Sequence, residues 1–85
     1  MSKYDDYAEW IKGRAVDAGY PVDVPRAGGG QGLAMEIGVW YTTVKRVLEG
    51  DRVPSYRYWT AWAKALRVDQ EEFRQRSKDA LVEAL

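Results

Sequence analysis

The apolar positions fall into helical rows separated by turn-forming residues. Tyr7, Ile11, Ala15 and Ala18 recur at spacings of three and four. That pattern places a first helix at about 3–18, with Ser2 as its cap and Asp5, Asp6 and Glu9 near its positive end. Gly19 and then Pro21 stop it. Leu33, Ala34 and Ile37 share one face of a short second helix that Gly38 ends, and Val39 lies in the turn. A third helix is expected over about 41–48. At roughly 100° per residue, Val44, Val47 and Leu48 cluster on one side of it, and Thr42, Lys45, Arg46 and Glu49 stand opposite. Gly50 is its natural stop. Pro54-Ser55 opens a fourth helix with Ser55 as cap, and Trp59, Trp62, Ala63 and Leu66 form its buried stripe. Asp69 begins a C-terminal helix of about 70–84. Asp69 and Glu72 have the spacing of a capping box, and Val68 and Phe73 that of a hydrophobic staple. Phe73, Ala80 and Ala84 continue one face, with Leu81 beside it. The fold class read from this pattern is all-α, five short helices in a single domain spanning 1–85.

Residues 20–31 are the one irregular stretch. Pro21, Pro25 and the run Gly28-Gly29-Gly30 exclude a continuous helix there. Val22 and Val24 alternate with Asp23, which allows a short extended piece. The glycine run reads as a flexible connector. No Lys-Ser/Thr follows it, so it does not have the form of a nucleotide-cradling phosphate loop.

Composition narrows the chemistry. Eighty-five residues, 46% of them hydrophobic, support one small core, in which four Trp and six Tyr supply much of the buriable area. A chain of this size gains about 3–5 kcal/mol from its core, and many such chains gain more by pairing. No apolar run reaches the length of a membrane span, and the first residues lack the apolar stretch of a secretion signal. The chain has no Cys and no His. Disulfides, thiolate zinc sites and thiol nucleophiles are therefore excluded, and the commonest catalytic base and metal ligand are missing. Asp5, Asp6 and Glu9 read as helix-end charges, since nothing builds the desolvated cleft that paired carboxylates need for acid–base work. Neither enzyme activity nor a cofactor or metal is expected.

Thirteen basic residues balance thirteen acidic ones, but unevenly along the chain. Residues 1–25 hold three basic and five acidic side chains, and 68–85 hold the same numbers. Residues 40–67 hold six basic side chains (Lys45, Arg46, Arg52, Arg57, Lys64, Arg67) against Glu49 and Asp51. Such a local positive patch attracts phosphate, because screening at physiological salt confines each field to about 8 Å. An uneven but solvated helix surface accounts for the charge equally well.

The second and third helices carry the informative spacing. Ala34 is small enough for a crossing helix to approach, Gly38 permits the turn, and Val39, Val44 and Val47 pin the third helix across the second. The polar face of the third helix is then free to enter a major groove about 12 Å wide.

The run from Leu33-Ala34 through Gly38-Val39 to Val44, Val47 and Gly50 resembles the helix-turn-helix of the phage Cro/repressor-type regulators. The likeness continues through Arg52-Val-Pro-Ser55 and Trp59…Trp62-Ala63-Lys-Ala65-Leu66-Arg-Val68-Asp69. It covers residues 31–73 well and the rest of the domain more weakly. The resemblance implies a five-helix bundle of the lambda-repressor-like type. It also implies a sequence-specific, double-stranded DNA-binding transcriptional regulator, a repressor of phage or prophage type. Such a regulator works in the cytoplasm, at the nucleoid, as a homodimer on two half-sites one helical turn apart.

The base-reading positions implied are Tyr41, Thr42 and Arg46, with Thr43 and Lys45 nearby. Arg46 is the leading candidate, since a guanidinium bonds O6 and N7 of guanine together. Gln31 and Gly32 at the start of the second helix, and Arg52, Ser55 and Arg57 after the third, are the implied phosphate contacts. Arg26 is a further candidate for the DNA backbone or minor groove. The chain departs from the family at Trp40, where a small capping residue is usual, at the bulky Tyr41, at Gly30 in the usual place of Gln, and in a longer link between the first two helices.

Trp40 would project within about 40° of Val44 if the helix included it, so it is expected to pack in the core rather than stack on a base. Val82 and Leu85 lie off the Phe73 stripe and are expected to be exposed on a monomer, which favours self-association. No small-molecule effector and no membrane partner is expected. The alternative reading is a protein-interaction module on the same fold, an antitoxin or a phage-encoded inhibitor of a host protein. Zero net charge and the Trp40-Tyr41 pair support it.

Overall fold

A computed structural model describes residues 3–85. Five α-helices follow one another: α1 (Asp5–Asp17), α2 (Gly29–Ile37), α3 (Tyr41–Leu48), α4 (Trp59–Leu66) and α5 (Gln70–Glu83), with a single 3-10 turn at Tyr56–Tyr58 before α4. There is no strand among the described residues. The all-α, five-helix reading therefore holds. None of these helices is long and apolar enough to cross a membrane.

The expected stripes form the core, although Ala18, Trp59, Ala80 and Ala84 on them are only half-buried. Ile11, Leu33, Val44, Val47, Trp62, Leu66 and Phe73 are essentially inaccessible to solvent. Each such side chain contributes roughly 1.5–3 kcal/mol by leaving water. Trp62 stacks on Phe73 with ring centroids 6.4 Å apart, and Tyr7 meets Phe73 edge-on at 6.5 Å. The rings of α1, α4 and α5 thus share one centre, against which α2 and α3 close. Truncating Trp62 to Ala would cost about 3–5 kcal/mol.

The helix ends are set locally. The Asp69 carboxylate accepts the Glu72 N–H at 3.1 Å, which is half of the expected capping box. Gly38 has φ +88°, and the N–H groups of Gly38 and Val39 both donate to the Ala34 carbonyl, at 2.8 and 3.1 Å. This left-handed residue lets α3 start three residues later and lie against α2, the most extensive helix–helix contact in the fold. After Gly50, the Asp51 N–H reaches back to the Arg46 carbonyl at 3.0 Å, so the end of α3 is closed off as well. The Gly50 carbonyl then accepts the Tyr4 N–H at 2.9 Å.

Three expectations are corrected, and a fourth falls outside the described residues. The first helix starts at Asp5 behind Tyr4, which makes no side-chain cap; the expected Ser2 cap lies outside the described residues. Residues 20–27 form successive turns rather than an extended piece, with Val22 N–H on the Tyr20 carbonyl and Val24 N–H on that of Pro21. The two prolines fix φ in the turn range, and the alternation of valines is not enough to override them. Ser55 begins the 3-10 turn rather than α4, and its hydroxyl makes no cap. Finally, Gly29 and Gly30 are helical. A Cβ on Gly29 would stand 2.6 Å from the Pro21 carbonyl carbon and 2.7 Å from the Val22 nitrogen. The glycine run is therefore where the loop backbone lies on the first turn of α2, and not a flexible connector.

Candidate nucleic-acid interface

Helix α3 presents two faces. Val44 and Val47 are wholly buried and Leu48 half-buried, while Tyr41, Thr42, Lys45, Arg46 and Glu49 are exposed. At about 100° per residue the exposed set runs in order Tyr41, Lys45, Glu49, Thr42, Arg46 over roughly 140°. Thr43 lies beyond Arg46 and is half-buried. The polar arc read from the sequence is the arc that reaches solvent.

A groove runs along each side of this arc. On one side Tyr41, Lys45 and Glu49 face the 21–30 segment, and the groove between them includes Arg26 and Gln31. The Tyr41 ring leans on α2, so that a Cβ on Gly30 would stand 2.8 Å from its Cε1. That contact explains the departure at both positions. A bulky Tyr41 needs the space that Gly30 leaves. On the other side Trp40 and Thr43 face Arg52, Val53, Pro54, Ser55 and Tyr58. The nominated residues Gln31, Tyr41 and Lys45 thus meet at one edge, and Thr43, Arg52 and Ser55 at the other. Thr42 and Arg46 occupy the ridge between. Arg57 is exposed on the 3-10 turn and lines neither groove.

Gly32 does not fit its expected role. Because α2 begins at Gly29, the Gly32 N–H is already spent on the Gly28 carbonyl at 2.9 Å, and Gly32 is half-buried beside the Tyr20 ring. The first-turn N–H groups without a backbone acceptor belong to Gly29, Gly30 and Gln31. Trp40 is the second correction. It is 83% exposed, not packed in the core. Its backbone is extended, with φ −69° and ψ 146°, so it precedes the helix and the extrapolated 100° step does not apply to it.

The charges are partitioned by element. The four ion pairs among the described residues are Lys12–Glu9, Arg14–Asp17, Arg74–Glu71 and Arg76–Glu72, all within α1 and its C-cap region or within α5. Exposed pairs of this kind add little stability, but they locally neutralise the flanks. Lys45, Arg46, Arg52 and Arg57 have no carboxylate within ion-pair distance among the described residues. Glu49 is the one acid on the arc.

No cluster of metal-ligating side chains occurs among the described residues. Comparison with protein-family models, with curated proteins and with solved structures gave no match.

Proposed function

We propose that the chain is a helix-turn-helix protein of the Cro/repressor type that binds specific sequences in double-stranded DNA and regulates transcription. In this reading α2 and α3 are the two helices of the motif, and α3 lies in the major groove. Arg46 and Thr42 on the ridge read base edges, Lys45 and Tyr41 flank them, and Arg52, Ser55 and the Gln31 end of α2 hold phosphates on either side. Arg57 adds long-range attraction. Two chains act together on half-sites one turn apart, in the cytoplasm of the host.

The observation that carries the reading is the exposed arc of α3, whose cations make no ion pair while Val44 and Val47 on its opposite side are wholly buried. Lys45, Arg46 and Arg52, none of them in an ion pair among the described residues, lie beside two grooves and suit a polyanion that follows a helical ridge. Exposed Trp40 and Met35 favour the second reading, a protein-interaction module on the same fold.

Selection from a pool of random duplexes tests the proposal. A defined motif with two related halves is expected, and its affinity should fall steeply between about 50 and 200 mM salt. Recovery of no motif, together with no salt-dependent binding to any duplex, would discard the DNA reading in favour of the second.

A further inference from the structure

Trp40 combines two local costs. It holds the N-cap of α3, where Ser, Thr, Asp or Asn would accept an orphan N–H, and it makes no such bond. Its indole is also 83% exposed, whereas Trp62 is wholly buried and Trp10 and Trp59 half-buried. Leaving the largest apolar side chain in water forfeits its burial. Departures from local rules of this kind concentrate where a residue serves a partner.

Its surroundings indicate the partner. The ring lines one groove with Thr43 on α3 and with Arg52 and Ser55 on the facing segment. Arg52 has no carboxylate partner among the described residues, and the Ser55 hydroxyl makes no cap. The indole therefore shares a groove with an unpaired guanidinium and a hydroxyl, alongside Val53 and Pro54, at the N-terminal end of the polar arc.

Taking α3 as a DNA-contacting helix, we propose that Trp40 is a further base-edge contact that reads thymine through its C5-methyl group, while Arg52 and Ser55 hold the neighbouring phosphate. The methyl is the one apolar group that base edges present in the major groove. A flat side chain with a single donor suits it better than it suits the polar edges of guanine, adenine or cytosine. The unpaired Arg52 in the same groove favours a phosphate-bearing partner over a protein.

The test uses the selected duplex and copies of it in which each thymine in turn is replaced by deoxyuridine, which lacks the methyl. One replacement per half-site should weaken the wild-type chain by about fivefold or more and leave Trp40→Ala unaffected. Trp40→Ala should bind the parent duplex about fivefold or more weakly with an unchanged Tm, and Trp40→Phe should fall between. Acrylamide should quench Trp40 in the free chain and be excluded once duplex is added. Duplex binding in which every deoxyuridine is silent and Trp40→Ala matches the wild type overturns this contact and leaves the proposed function standing. A chain that selects no duplex, with Trp40 shielded only by a protein partner, overturns both.

Discussion

The hydroxyl groups of Tyr7 and Ser77 lie 2.7 Å apart in the interior and join α1 to α5 across 70 residues of chain. Ser77 is the one buried polar side chain among the described residues, and Tyr7 is almost as inaccessible. Removing either hydroxyl leaves the other without a partner, at a cost of about 1–3 kcal/mol. Tyr7→Phe and Ser77→Ala should each lower the urea midpoint, and the double variant should lose clearly less than the two together. Strict additivity would show that the bond contributes nothing.

The same phenol sets an alkaline limit. Burial pushes the Tyr7 pKa above its ordinary value, and the Ser77 hydrogen bond only partly opposes this. The unfolded chain titrates this group near about pH 10. The stabilisation is therefore complete below that pH and is lost as pH rises toward the higher folded value. Urea midpoints measured from pH 8 upward should begin to fall above about pH 10. Tyr7→Phe should show a shallower fall, and an identical slope in both chains would exclude Tyr7 as the cause.

Two glycines should respond in opposite directions to alanine. Gly29→Ala sets a methyl against the backbone of Pro21 and Val22, which cannot swing aside, and should cost about 1–3 kcal/mol. Gly13 lies within α1, exposed, with nothing within 4 Å of an added Cβ. Gly13→Ala should stabilise the chain by about 0.5–1 kcal/mol through helix propensity alone. Thermal melts of both variants decide it, and a destabilised Gly13→Ala would contradict the described α1.

Arg46 and Glu49 should move DNA binding in opposite senses. Arg46→Ala should relax the preference at one base pair per half-site and cost about 1–3 kcal/mol on the selected duplex. Glu49→Gln removes the acid from the arc and should strengthen binding to selected and random duplexes alike, most visibly at low salt. If Arg46→Ala leaves the selected motif unchanged, the role assigned to that residue is wrong.

Val82 and Leu85 are exposed to 65% and 102% at the C-terminal end, beside the partly exposed Leu81. If two chains pair as proposed, this apolar edge is the surface that joins them. Replacing both by Asp should halve the mass seen by sedimentation equilibrium and leave the helical circular dichroism intact. It should also weaken binding to the two-half duplex far more than to a single half-site.

The helices themselves were legible in the sequence because burial follows the 3.6-residue period. Tyr7, Ile11, Val44, Val47, Trp62 and Phe73 lie where their spacing places them. The polar arc of α3 followed from the same arithmetic. Ser77 was missed although it stands four residues after Phe73 and three before Ala80, on the same stripe; its hydroxyl masked a core position. Trp40 was misread because the helical step was extended to it, whereas its extended backbone places it before the first turn of α3.

Local sequence thus determined where helices form, which faces are apolar and where glycine must turn the chain, since all three depend on neighbours within a few residues. Only the tertiary structure decided that Gly29 is a contact rather than a hinge, that the Gly32 N–H is already bonded, that Trp40 faces solvent, and that Tyr7 finds Ser77. Each of these depends on which distant backbone or side chain arrives at the same point in space, and residue spacing carries no record of that.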